Sequence, residues 1–255
     1  MGAFACSGFF VSGGLAVILL YTDFGFSGPY VGEMRAMLSR VAPGVACIDL
    51  MHDAPAFSPL PAALLLEAMS FRLPPRSVTV AVVDPGVGTS RRPMVARAGE
   101  QWYVGPDNGL LAPVLEREGA RAWQLPIPDG VSSSFHGRDL FAPAAARLAM
   151  GGMPRGTVGL DDWQRGPAGS ERYAVIYVDG YGNLVTGIPA VGLSGETRLR
   201  IAGQDLGYRR VFGEAEPGEL FWYSNSMDRV EIAANAASAA KLLDVDVGEP
   251  VEEVG

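Results

Sequence analysis

Along the first half of the chain, unbroken apolar runs alternate with segments whose apolar residues recur every three or four positions. Residues 15–21 (LAVILLY), 45–50 (VACIDL) and 77–83 (SVTVAVV) are apolar runs, each followed by a polar turn: Thr22-Asp23, Met51-His52-Asp53 and Asp84-Pro85-Gly86. Runs of that length without alternation are the pattern of strands covered on both faces, and hence of a parallel sheet. Residues 30–40 and 60–72 between them read as helices, so the order is strand, helix, strand, helix, strand. Two more helices are expected at 109–117 and 138–150. The stretch 94–105, with a Gly99-Glu100 turn in its middle, predicts a hairpin added to the sheet.

After Gly151 the pattern changes to Gly, Pro and polar residues without periodicity, which predicts a linker over 156–170. Beyond it come short alternating runs, YAVIYVD, TRLRIAG, ELFWYSN and RVEIAAN, and one short helix near 236–243. The fold class expected is therefore an α/β N-terminal domain (15–155), its mostly parallel sheet lying between helices. A smaller, mainly antiparallel β-barrel-like domain (171–255) follows it.

Composition narrows the function classes. With 48% hydrophobic and 19% charged residues in 255, the chain can bury a large core, and disorder is excluded. The balance of 20 basic against 28 acidic residues, net charge −8, argues against nucleic acid as a partner. Two cysteines and two histidines are too few for a disulfide framework or a structural zinc site, so a reducing, cytoplasmic setting and no metal are expected. The apolar N-terminus has no Lys or Arg before Arg35 and is punctuated by Gly8, Ser12, Gly13 and Gly14. It reads as a loose extension over 1–14, not as a signal peptide or membrane anchor. HExxH, CxxC, GxSxG and Walker A sequences are all missing.

Chemistry is then sought at strand ends, where ligands of open α/β sheets bind. Asp23 and Asp84 fall there, although an aspartate so placed also caps helices or closes turns. Around Asp84 the sequence DPGVGTSRR adds glycines that let a ligand approach the backbone, and then Arg91. His136, in SSSFHGRD, has the neutral-range pKa that proton transfer needs; His52 is the other candidate histidine. In the second half, Asp179 and Asn183 in VDGYGN, and Glu231 and Asn235 in EIAAN, pair acceptors with amides able to read a nucleoside. The same residues are also ordinary hairpin-turn chemistry.

Taken together, TDFG (22–25), YVGEMRAML (30–38), VVDPGVGT (82–89), PDNG (106–109), FHGRDLFAPAAA (135–146), VDGYGNLVTG (178–187) and NS with EIAAN (225–235) resemble the S-adenosyl-L-methionine (SAM) hydrolases. These are also called SAM hydroxide adenosyltransferases and are related to fluorinase and chlorinase. The resemblance spans about residues 15–251. It implies hydrolysis of SAM to adenosine and L-methionine by water or hydroxide attacking ribose C5′, with SAM as substrate and no cofactor. It also implies a homotrimer with sites between subunits.

By the same resemblance Asp84, Arg91 and His136 handle the water, and Asp23 holds the ribose hydroxyls. Asp179 and Asn183 meet the methionine or nucleoside part, Asn225 and Ser226 the methionine end, and Glu231 with the backbone around Asn235 the adenine. Two stretches depart from the family pattern: Ser27-Gly28-Pro29, where an acidic residue is frequent, and Asn225-Ser226-Met227-Asp228, where a glycine is common. The alternatives are a SAM-dependent halogenase and a non-catalytic SAM or adenosine sensor.

Overall fold

The computed structural model describes residues 17–167 and 169–254. The predicted extension over 1–14 and the first two residues of the predicted first strand lie outside the described residues.

Three apolar segments build the first half. Strand β1 (Ile18–Thr22) is flanked by β2 (Cys47–Met51) and β3 (Val78–Val82), all parallel. Every residue of β1 and β3 is buried, which is why neither alternates. Helices α1 (Tyr30–Val41) and α2 (Pro59–Ser70) connect them as expected. Strand β2 differs from the expectation of a buried run, because it is the edge of the sheet and is half open to solvent.

The hairpin also forms, as β4 (Pro93–Ala98) and β5 (Gln101–Pro106), but in the sheet's interior. Strand β5 pairs parallel to β3, and β4 continues antiparallel to β6 (Arg121–Gln124). The last strand, β7 (Val158–Leu160), falls in the stretch expected to be linker and pairs with β6. Arg92 pins the following residues by bonding Asp162, and Asp107 does so by accepting from the Gln164 N–H. The expected mostly parallel sheet is therefore a mixed one, in the order β2-β1-β3-β5-β4-β6-β7. Its first four strands are parallel and the rest antiparallel, because a two-residue hairpin turn can join only antiparallel neighbours.

The expected helix over 109–117 shortens to α3 (Ala112–Leu115). The one expected over 138–150 begins as a π-helical turn, Gly137–Phe141, before α4 (Ala142–Ala149).

The second half forms two antiparallel sheets. One is β12-β13-β9-β8, from β8 (Val175–Val178), β9 (Leu184–Pro189), β12 (Leu220–Ser224) and β13 (Arg229–Ala234). The other is β11-β10-β14, from β10 (Arg198–Ile201), β11 (Gln204–Leu206) and β14 (Val251–Val254). Helix α5 (Ala239–Leu243) lies between β13 and β14 in the chain.

Helix α2 is buried on nearly every side because it lies between the halves, with Leu64 and Leu65 packing on Ile176 and Val185. Glu67 of the same helix accepts bonds from Arg172 (2.7 Å) and Arg229 (3.0 Å). The segment before β8 and the start of β13 are thereby tied to one helix. Among the described residues, no helix is long and apolar enough to cross a membrane.

Candidate active site

Strand β3 runs out at Val83, whose carbonyl accepts from Asn108 Nδ2 (2.9 Å), and Asp84 follows. The Pro-Gly-Val-Gly turn then reverses the chain, so Arg91 reaches back in a fork: Nε lies 3.1 Å from Asp84 Oδ1 and Nη2 bonds Oδ2. Both side chains are buried, 4% and 7% exposed. Nη2 also lies 3.0 Å from His136 Nδ1, and the buried Phe141 ring lies against Arg91, with Cζ 5.5 Å from its centroid. The three residues read from the sequence therefore meet. Losing one partner of a buried ion pair costs about 3–5 kcal/mol, because it strands the other charge.

His136 stands at the start of the π-helical turn, a local irregularity frequent at functional sites. Its loop is held from two sides. Asp139 Oδ2 accepts from the Ser132 N–H (3.1 Å), and Gly88 abuts Ser133 so closely that an added Cβ would lie 2.2 Å from the Ser133 carbonyl oxygen. Burial holds the His136 pKa below the usual 6.5, and the Arg91 charge pushes the same way. An arginine only donates, so Nδ1 accepts and the proton of the neutral ring sits on Nε2. Arg91 Nη1 is buried and makes no hydrogen bond among the described residues, which leaves one donor of the cluster free for a further group.

Asp23 follows β1, its N–H donating to Val82 O (3.3 Å) and its Oδ2 accepting from the Phe57 N–H (3.1 Å). Partial burial raises its pKa, and the charge of nearby Asp84 adds to the rise. His52, 1% exposed, is engaged elsewhere, with Nδ1 2.8 Å from Thr22 Oγ1.

The residues expected to bind substrate from the second half gather around a separate open cleft of about 1060 Å³. Asp179, Asn183, Asn225, Ser226 and Glu231 all line it. They show the turn chemistry as well: Asp179 Oδ1 accepts from the Tyr181 and Asn183 N–H groups, and Asn225 Oδ1 from those of Met227 and Arg229. These bonds hold the turns that present the side chains. Glu231 is buried and accepts from Tyr223 Oη and from Asn225 Nδ2 (2.8 Å). The Asn235 side chain turns away and donates to Ala215 O (2.7 Å), while its neighbours Ala234, Ala236 and Ala237 line the cleft.

Sequence reasoning missed several lining residues. Asp53, whose Oδ2 accepts from Tyr177 Oη (2.9 Å), and the aromatics Phe26, Tyr177 and Phe212 also face the cleft. Asp53 stands at the end of β2, so the strand-end rule that selected Asp23 and Asp84 could have found it. The lining holds three carboxylates (Asp53, Asp179, Glu231) and no Lys or Arg, a field that favours a cationic ligand. Asp23, Asp84, Arg91 and His136 are not part of this lining. Among the described residues, no group of three His, Cys, Asp or Glu stands at metal-binding geometry.

An α/β half with a buried Asp-Arg-His cluster at its strand ends, joined to a β half with an acidic, aromatic-rimmed cleft, defines a two-part protein built around a small molecule. Comparison with known proteins makes that class specific. The SAM hydroxide adenosyltransferase N-terminal domain matches residues 18–158 and the corresponding C-terminal domain residues 173–252. The chain belongs to the SAM hydroxide adenosyltransferase family.

The (R)-S-adenosyl-L-methionine hydrolase of Thermus thermophilus is 38% identical, over 92% of this chain and 98% of that protein. The protein of the same name from Salinispora arenicola is 37% identical, over 89% and 94%. The fluorinase of Actinopolyspora mzabensis is more distant, at 25%. Among solved structures, an uncharacterized conserved protein from Thermotoga maritima superposes with a TM-score of 0.84 at 32% identity. That match covers 93% of this chain and all of that one.

Proposed function

We infer that this protein hydrolyses S-adenosyl-L-methionine to adenosine and L-methionine. Beyond the family, the observation that carries the reading is the pairing of a buried Asp84-Arg91-His136 cluster with a cleft whose charged lining residues are all acidic. The substrate brings a sulfonium and an ammonium, and such a field favours both. Once the C5′–S bond breaks, the sulfur takes the bonding pair and becomes a neutral thioether. The attraction at that point is lost, which favours release of the products.

In the proposed mechanism a water oxygen attacks ribose C5′ in line with the departing sulfur, and the water's proton passes to a protein base. The leaving group is neutralised as it departs, so neither an acid nor a metal is needed at the sulfur, and no cofactor enters the scheme. With Nδ1 of His136 engaged by Arg91, Nε2–H is a donor that orients the water oxygen, and the unpartnered Nη1 of Arg91 favours hydroxide character. Asp84 retains lone pairs on both oxygens and is the proton acceptor. Asp23 takes the ribose hydroxyls, and Asp179, Asn183, Asn225, Ser226, Glu231 and the backbone near Asn235 take the rest of the substrate.

The assembly is part of the proposal. The water-handling cluster does not line the same chain's cleft, and Phe26 and Tyr181 are 77% and 84% exposed there. Both observations support a homotrimer in which one subunit's cluster meets its neighbour's cleft, a heterologous contact that closes into a ring. We also divide the chain near residues 156–170, between the two family matches, and treat the second half as a closed barrel. Isolated bridges Ala174–Pro250 and Tyr208–Trp222 join the edges of its two sheets and support that closure. Free, half-exposed Cys47 suits a reducing cytoplasm.

The test is chromatography of SAM incubated with the protein, with and without chloride. Adenosine in both samples supports hydrolysis. Chloroadenosine with chloride would mark a halogenase, and unchanged SAM a sensor.

A further inference from the structure

His52 is among the buried titratable side chains that the reaction scheme leaves unused. His52 is 1% exposed and stands at the end of the edge strand β2, beside the loop that follows β1. Three of the bonds that join the two loops gather around His52 and Thr22. His52 Nδ1 meets Thr22 Oγ1 at 2.8 Å, the Gly25 N–H donates to His52 O at 2.6 Å, and the Ala54 N–H donates to Thr22 O at 3.1 Å. Thr22 Oγ1 also accepts from the Phe24 N–H (3.3 Å), so the hydroxyl hydrogen is left to donate to Nδ1. The other ring nitrogen lies 3.3 Å from Asp49 Oδ1, a carboxylate that Arg35 holds through Oδ2 (2.9 Å), and the Phe26 ring closes the edge, 5.6 Å away.

Asp23 lies between these anchors. Its neighbours in the chain, Thr22 and Phe24, are both fixed by the Thr22 hydroxyl, and its own carboxylate rests on the N–H of Phe57. Phe57 adopts a positive φ of 57°, an unfavourable conformation for a bulky residue, in the loop that His52 begins. A histidine kept out of water on a sheet edge, with Nδ1 directed at the Thr22 turn and Nε2 toward Asp49, is an expensive way to fill space with carbon.

We propose that His52 is a positioning residue that, through Thr22, fixes Asp23 at the place where it meets the ribose hydroxyls. The proposal rests on the reading of Asp23 as the ribose carboxylate. His52 does not touch substrate in it, and no proton transfer is assigned to it.

The experiment measures adenosine and 2′,3′-dideoxyadenosine binding to the full-length protein by calorimetry, for wild type, Thr22→Val, His52→Leu and the double variant. Each single change should weaken adenosine roughly five- to tenfold, the scale of one lost hydrogen bond, and the double variant should lose little more than either alone. The dideoxy analogue should change by less than about twofold, since it lacks the hydroxyls that Asp23 reads. His52→Asn, which keeps a polar atom near the position of Nδ1, should restore most of the affinity. Equal loss of both ligands, or normal adenosine binding by the single variants, would overturn the proposal.

Should His52→Leu not fold, Thr22→Val, of nearly the same shape, carries the comparison alone. If wild type bound no adenosine, the ribose reading itself would fall. Hydrogen exchange at Gly25 and Phe57 would then decide the anchoring: faster exchange in Thr22→Val supports it and unchanged exchange rejects it.

Discussion

Replacing Gly88 by alanine tests whether the two catalytic loops depend on one close contact. Gly88 sits at φ +77°, where a Cβ is unfavourable by about 1 kcal/mol, and its Cβ would lie 2.2 Å from the Ser133 carbonyl oxygen. Reaching even 3.0 Å requires a shift of about 0.8 Å, in backbone that leads from Asp84 to Arg91 on one side and to His136 on the other. A misplacement near 1 Å at reacting groups costs about 100-fold in rate. Gly88→Ala should therefore lower kcat by about that factor, while adenosine binding in the cleft stays within about twofold.

Gly99→Ala is the control. It has a similar φ of +58° but nothing within 4 Å of the added Cβ, and it lies in the β4–β5 turn. Its melting temperature should fall by a few degrees, with kcat unchanged. Steady-state kinetics, calorimetry and thermal melts on both variants suffice. If Gly88→Ala lost stability as Gly99→Ala does and kept its kcat, the argument from loop contact would be wrong.

Further outcomes follow from the same geometry. Because burial and Arg91 hold the His136 pKa below 6.5, the ring is neutral above that lowered value and gains a second proton only below it. The acid limb of kcat should then lie below pH 6.5, and a limb at or above 6.5 would contradict the cluster's electrostatics. Activity should survive prolonged treatment with EDTA, since the scheme places no metal at the sulfur; rescue of a chelated, inactive sample by a divalent ion would overturn it. Co-refolding His136→Ala with an inactive Asn183 or Glu231 variant in equal amounts should restore about a quarter of the sites if each spans two subunits. Activity no higher than that of the separate variants, with mixed trimers confirmed by mass spectrometry, would place each site within one chain.

What the sequence made legible follows from how local each signal is. Fully buried β1 and β3 announce themselves as apolar runs, and the Gly99-Glu100 turn marks its hairpin. Strand β7 is three residues, two of them exposed, inside a Gly- and Pro-rich stretch, so only its pairing with β6 makes it a strand. The π-helical turn after His136 has no sequence period of its own, and the close approach of Met34, Phe24 and Phe135 to Gly137 is a tertiary fact. Asp84, Arg91 and His136 were recognisable as chemical types at strand and helix ends. Spacing alone did not show that they converge, since Arg91 and His136 lie 45 residues apart and meet where Phe141 packs near both. Asp53 and Tyr177, 124 residues apart, meet only because α2 brings the two halves together.

The central claim is that water oxygen becomes the 5′-oxygen of adenosine. The direct measurement is a single incubation of SAM with the protein in water enriched in ¹⁸O, followed by mass spectrometry of the products. The account predicts adenosine carrying the solvent label at O5′ and unlabelled L-methionine. Unlabelled adenosine, or a C5′ substituent other than oxygen, would contradict it.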